Sequence, residues 1–259
     1  MNATLLKTQG LSKSFGGFYA VRALDLEIEK GIIHGLIGPN GSGKTTTFNL
    51  ISGALDATEG RILFEDTDIT ELKAHEIAAM GICRTYQQPR IMPRLSCVEN
   101  VMAGMYASTK LDFVGTYLRA PFRAGAQEKR IRGRALELLD FTGLLGSADR
   151  MAKDLVWAEC HLVQIARALI MAPKLIMLDE PTSGMGDEEV ARVKKLIFDI
   201  KSMGITVFLV AHDVKLVTEV SDRLTAITFG EKIAEGDPRE VVNDPKVVEA
   251  YLGTDDDEE

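Results

Sequence analysis

One loop constrains this chain more than any other stretch: Gly38-Pro39-Asn40-Gly41-Ser42-Gly43-Lys44-Thr45. It fits the pattern Gly-x-x-x-x-Gly-Lys-Ser/Thr with every fixed position filled. An apolar run, Ile32-Ile33-His34-Gly35-Leu36-Ile37, precedes it and reads as a buried strand; a helical run from Thr46 to Leu55 follows. Strand, glycine-rich turn and helix together are the setting that makes such a loop a phosphate cradle. The glycines let successive backbone N–H groups point at phosphate oxygens, and the helix adds its positive N-terminal end. Lys44 is then placed to reach the outer phosphates, and the Thr45 hydroxyl to bind Mg²⁺. A chance glycine turn would not come with both flanks correct.

A chain committed to this loop needs a sheet whose strand ends gather on one edge, and the remaining runs supply strands for it. Residues 4 to 9 and 24 to 28 read as strands, the second alternating as Leu24-Asp25-Leu26-Glu27-Ile28, and Gly60 to Phe64 joins them in a small antiparallel layer. Residues 71 to 80 have helical spacing, and Ile82 to Tyr86 reads as a short strand that ends before Pro89. From about residue 90 to 154 the β-branched runs stop. Ala126 to Phe141 shows helical spacing at Ile131, Ala135, Leu138 and Leu139, so this part reads as a mostly helical insertion. Thr109 to Gly125 shows no clear pattern. The sheet resumes at Leu175 to Leu178, then comes an amphipathic helix from Asp187 to Met203 stopped by Gly204, and then a strand from Ile205 to Val210. Thr225 to Phe229 and Lys232 to Ala234 form a terminal hairpin, and Thr254 to Glu259 an acidic, disordered tail. The fold class is α/β: a phosphate-loop NTPase core with a small antiparallel layer and an inserted helical subdomain. The expected division is a core over residues 1–88, the insertion over 89–154, the rest of the core over 155–253 and the tail over 254–259.

Five residues join the loop as candidates for the site. The apolar strand before Asp179-Glu180 delivers two carboxylates to the sheet edge that carries the loop. Asp179 suits Mg²⁺, and Glu180 a water that attacks a phosphate. Alone, the pair would read as a helix cap; beside a complete phosphate loop it does not. His212 follows the next strand and is placed for a γ-phosphate contact. Gln87, at another strand end, suits the metal or the attacking water. Phe15 offers an aromatic face to an adenine ring, although from its own stretch a packed core aromatic is the default.

Composition removes other classes. The net charge is −8 and the pI about 5.2, which argues against a duplex nucleic-acid binder. Polar residues interrupt every apolar run before membrane-spanning length. The start carries no signal-peptide pattern. Cys83, Cys97 and Cys160 lie far apart without metal spacing and read as free thiols in a reducing compartment. The expectation is a soluble chain on the cytoplasmic side, reaching a membrane only through partners.

Together these residues resemble the ATP-binding subunit of ABC transporters, over nearly the whole chain. The phosphate loop matches Walker A, with Thr46 completing the ATP contacts, and Leu175 to Glu180 matches Walker B. Gln87 falls on the Q-loop, His212 on the switch histidine and Phe15 on the adenine-stacking A-loop. Arg84-Thr85-Tyr86-Gln87, the long insertion after Val98-Glu99-Asn100, and the ending from Asp244 to Gly253 resemble one branch, the ATPases of branched-chain amino acid importers. The resemblance implies ATP and Mg²⁺ as ligands and Lys44, Gln87, Glu180 and His212 as catalytic, with Thr45, Gln87 and Asp179 toward the metal. It also implies a second, different ATPase subunit, two membrane permease subunits, an extracytoplasmic solute-binding protein, and a place on the inner face of the membrane.

Two motifs depart from the family pattern. Its signature loop, usually Leu-Ser-Gly-Gly-Gln, falls on Leu155-Val156-Trp157-Ala158-Glu159. In the family this loop clamps the partner's γ-phosphate with a serine hydroxyl and glycine N–H groups. Val156 has no hydroxyl, and Trp157 and Ala158 restrict the backbone where glycine is free. Glu159 is expected to precede a good helix whose N–H groups remain. The aspartate of the family's D-loop falls on Gly186, with Asp187 one residue later. Tolerated drift explains both; so does an asymmetric pair of ATPases in which this chain's own Walker residues do the hydrolysis. Two other readings stand beside the importer ATPase: a regulatory subunit that binds ATP without cleaving it, and a non-transport ABC ATPase.

Overall fold

The computed structural model describes residues 3–108 and 121–252. The stretch from Thr109 to Ala120 and the acidic tail, two parts singled out in the sequence, lie outside the described residues.

Two sheets carry the fold. The antiparallel one has the order β2-β1-β5-β6, with β3 pairing β1 off that path. Its strands are β1 (Thr4–Phe15), β2 (Phe18–Leu24), β3 (Glu27–Glu29), β5 (Glu59–Phe64) and β6 (Thr67–Asp68). An antiparallel layer is present as expected, but the strand read over residues 24 to 28 is the end of β2 and the start of β3, with Asp25 and Leu26 in neither. β1 runs on to Phe15 and turns straight into β2, so residues 10 to 23, outside the strands read from the sequence, form a hairpin with register shifts near Lys13. Those shifts break the simple alternation that marks a strand in sequence.

The second sheet has the order β11-β10-β4-β9-β8-β7. β4 (Ile33–Ile37), β7 (Ile82–Arg84), β8 (Leu175–Asp179), β9 (Thr206–Val210) and β10 (Arg223–Thr228) run parallel; β11 (Glu231–Gly236) closes the edge antiparallel. Every residue of β4, β8 and β9 is buried. This is why the three read as unbroken apolar runs: both faces of a parallel sheet are covered. Alternate residues feed two cores. Leu36, Met177 and Phe208 face the antiparallel sheet and α1 (Lys44–Ile51), where Phe48 stacks on Phe208 with centroids 4.7 Å apart. Ile37, Leu178 and Leu209 face the other helices.

The remaining helices are α2 (Ala74–Met80), α3 (Cys97–Ser108), α4 (Pro121–Phe141), α5 (Trp157–Leu169), α6 (Asp187–Ser202), α7 (Val214–Val220), α8 (Pro238–Val242) and α9 (Pro245–Leu252). α3 and α4 lie within the stretch 89–154 and pack on each other and on α5. α6 ends against Gly204 at φ 81°, the left-handed position that glycine tolerates. All three cysteines are free and buried. No helix among the described residues is long and apolar enough to cross a membrane.

Candidate nucleotide-binding site

The C-terminal ends of β4, β7, β8 and β9 bring the candidate residues to one edge. The phosphate loop leaves β4 and enters α1. A Cβ on Gly38 would lie 2.1 Å from the Ile227 carbonyl oxygen, and one on Gly43 2.4 Å from that of Ala20. Gly43 also sits at φ 103°. Only glycine passes both points, so the loop lies close against its neighbours. Lys44 is buried and donates from Nζ to the Gly38 and Pro39 carbonyls at 2.7 and 2.8 Å. Burial lowers its pKa, with Glu180 and Asp179 opposing.

A cavity of about 250 Å³ opens over this loop. It is lined by Ala20, residues 40 to 46, Gln87, Glu180 and His212. The four residues expected to be catalytic therefore meet there, Lys44, Gln87, Glu180 and His212, beside the rest of the loop from 40 to 46. Glu180 is the hub. Its carboxylate receives the Gln87 amide at 2.6 Å and His212 Nε2 at 2.7 Å on different oxygens. Burial raises the Glu180 pKa first and foremost; His212 opposes, Asp179 adds to the rise, and Lys44 and Gln87 oppose. A carboxylate so placed holds a proton more readily than one in water, the direction that suits proton transfer. Its backbone is at φ 48°, left-handed for a non-glycine residue, so the turn after β8 is held under strain.

Asp179 lies deeper. Its Oδ2 meets Arg84 at 2.6 Å, both side chains nearly fully buried. Arg84 also donates to Asn49 Oδ1 at 2.6 Å and stands over the rings of Phe48 and Tyr86. In the sequence Arg84 was only a marker of one branch, and Asn49 carried no signal at all. Their part in orienting Asp179 follows from the pairing of β7 with β8, which sets Arg84 beside Met177.

Phe15 stands at the end of β1, about half exposed, with the Lys13 ammonium 5.2 Å from its ring, and outside the cavity lining. α9 comes back to the loop from the far end of the chain: Tyr251 is hydrogen-bonded to the Gly38 backbone, and burial raises its pKa.

The signature position is built differently from the expectation. The helix does not wait for Glu159. α5 begins at Trp157, Val156 is its N-cap, and Glu159 sits in the first turn, accepting the Val156 N–H at 3.1 Å. A carboxylate three residues after the cap satisfies a free N–H there, and this draws Glu159 into the helix. Arg150 pairs with Glu159 at 2.9 Å. The Trp157 indole donates to the Ser183 carbonyl at 2.9 Å, and its ring meets buried His161 edge to face.

Comparison with known proteins decides the family. Residues 21–183 match the model "ABC transporter", well over half of the chain. The chain belongs to the ABC transporter family. Residues 231–257 match a second model, "Branched-chain amino acid ATP-binding cassette transporter". The high-affinity branched-chain amino acid transport ATP-binding protein LivG of Escherichia coli K12 is 36% identical over 254 residues, 98% of this chain and 99% of that one. BraF of Pseudomonas aeruginosa, bearing the same description, is 34% identical over 255 residues, again 98% and 99%. Among solved structures, the ADP conformation of MJ1267, an ATP-binding cassette of an ABC transporter, superposes with a TM-score of 0.85 at 33% identity, covering 97% of this chain and all of the other. This member of the ABC family thus has the nucleotide-binding cassette fold that the phosphate loop announced.

Proposed function

We propose that this chain is the ATP-hydrolysing subunit of an importer, driving uptake of branched-chain amino acids or a related small polar solute through partner membrane subunits. The observation that carries the reading is the Glu180 carboxylate, held between Gln87 and His212 over the phosphate loop. The solute class rests on the branch model at the C-terminus and on the relatives' descriptions.

ATP lies with its phosphates on the backbone N–H groups of the loop from residue 40 to 46 and its adenine toward Phe15. Lys44 exchanges its carbonyl partners for β- and γ-phosphate oxygens and neutralises charge as the terminal bond breaks. Glu180 orients a water and takes its proton, giving ADP, inorganic phosphate and a proton to solvent. His212 faces the γ-phosphate. The donor set suits a hard divalent cation: the Thr45 hydroxyl, the Asp179 carboxylate and the Gln87 carbonyl would each offer it an oxygen. Mg²⁺ held there would supply positive charge against the phosphate oxygens.

The partners we infer are a second, different ATPase subunit, two membrane permeases and an extracytoplasmic solute-binding protein, which together place this chain on the inner face of the membrane. The stretch from Gln88 to Ala103, where Arg90 stacks at 4.0 Å on Tyr86, faces the permeases. The exposed Val156 and Trp157 favour an asymmetric pair, in which this chain's Walker residues hydrolyse ATP and the partner's nucleotide meets the altered loop. Glu180→Gln in the assembled complex tests the assignment. Hydrolysis falls at least a hundredfold if Glu180 serves the reaction; a rate near wild type contradicts it.

A further inference from the structure

One side-chain hydrogen bond joins the altered signature loop to the Glu180 turn of the same chain, and two backbone bonds hold that turn. The Trp157 indole N–H donates to the Ser183 carbonyl at 2.9 Å. The Ser183 N–H donates to the Glu180 carbonyl at 3.1 Å, and the Glu180 N–H to Val210 at 2.8 Å. Residues 181 to 184 form the turn between them, and a Cβ on Gly184 would touch the indole nitrogen at 3.4 Å. The indole is itself fixed, lying edge to face on the buried His161 ring, with centroids 5.3 Å apart.

Glycine at position 157 would have no side chain to reach Ser183. The replacement that removes the loop's freedom therefore adds a contact inside the chain. The contact falls where support is needed, because Glu180 is held at φ 48° and a left-handed non-glycine residue persists only when its surroundings over-determine it.

We propose that Trp157 is a positioning residue for hydrolysis at this chain's own nucleotide site: its N–H, through the Ser183 carbonyl, braces the turn that sets Glu180 over the phosphate loop. The loop that in relatives with Leu-Ser-Gly-Gly-Gln serves the partner's nucleotide here also serves this one. The inference rests on the assignment of Glu180 to hydrolysis.

The test uses complexes in which the second ATPase subunit carries a substitution of its own hydrolytic carboxylate, so that turnover reports this chain's site. Trp157→Phe keeps a ring against His161 and removes the N–H. The expected result is a fall in kcat of about tenfold with KM for ATP unchanged, because the phosphate loop is untouched. Wild-type kcat overturns the proposal, as does a rise in KM alone. Glu180→Gln in the same background separates the two claims. If it retains turnover, the hydrolytic assignment fails; if it is inactive while Trp157→Phe is normal, only the brace fails.

Discussion

The phosphate edge and the signature loop stand at two ends of one turn and are built on opposite plans. At the phosphate edge the charged groups are buried and partnered: Asp179 with Arg84, Glu180 with Gln87 and His212, Lys44 with loop carbonyls. At the signature loop Val156 and Trp157 are exposed, and the charges, Arg150 and Glu159, form a pair at the surface. The first plan fixes chemistry in place before a ligand arrives. The second has neither the hydroxyl nor the glycine freedom of the Leu-Ser-Gly-Gly-Gln pattern, and has instead a helix cap and a contact to its own chain. On the function proposed above, one chain would keep the hydrolytic half-site and lose the complementary half.

The contrast should appear first in stability. Arg84→Ala leaves Asp179 buried without its partner, and loss of one member of such a pair costs about 3–5 kcal/mol. Chemical denaturation of the purified chain measures it; a loss below about 1 kcal/mol would mean that the edge is not pre-set by this pair.

Next comes nucleotide chemistry. Lys44→Ala removes the only lysine in the cavity lining and should lower hydrolysis by about 10²–10³-fold, as loss of a group aimed at developing charge does. Steady-state turnover of the complex reports it, and a fall under about threefold would place the phosphates elsewhere.

Each region also hides a histidine. His34, in β4 below the phosphate loop, and His161, under Trp157, are buried and each keeps one ring nitrogen without a hydrogen-bond partner among the described residues. Burial lowers the pKa of both from 6.5 to about 4. The folded chain therefore favours the neutral rings. Their stabilisation is present above pH 6.5 and is lost as pH falls through the window down to 4. At about 1.4 kcal/mol per unit, each accounts for up to roughly 3 kcal/mol over that window. His161→Leu should flatten part of the acid loss in a series of melting curves; an unchanged slope between pH 6.5 and 4 would show that His161 is not neutral in the fold.

The smallest effect belongs to the surface pair. Arg150→Ala should cost less than about 1 kcal/mol, because solvent and salt screen the exposed ion pair. A cost matching that of Arg84→Ala would erase the distinction between the two ends.

The sequence made the phosphate edge legible because each element there follows a short-range rule. Buried strands read as apolar runs, a loop forced against its neighbours reads as glycines, and strand-end carboxylates read as Asp179-Glu180. The antiparallel layer was legible except for the β1–β2 hairpin, where register shifts broke the alternation. Arg84 and Asn49 were missed as site residues because their roles come from pairing across the sheet and from α1, not from spacing. At the signature loop the sequence exposed the loss but not the replacement. That Val156 lacks a hydroxyl is visible in the letters; that Trp157 reaches Ser183 depends on how α5 packs beside the turn after β8. The same blindness put Glu159 before the helix, when its side chain in fact caps it.

The asymmetry itself is open to one direct measurement: ATP turnover by two assembled complexes, one with Glu180→Gln in this chain and one with the equivalent carboxylate replaced in the second ATPase subunit. The account predicts that the first loses at least a hundredfold while the second keeps most of its rate. The reverse order, or equal losses in both, would contradict it.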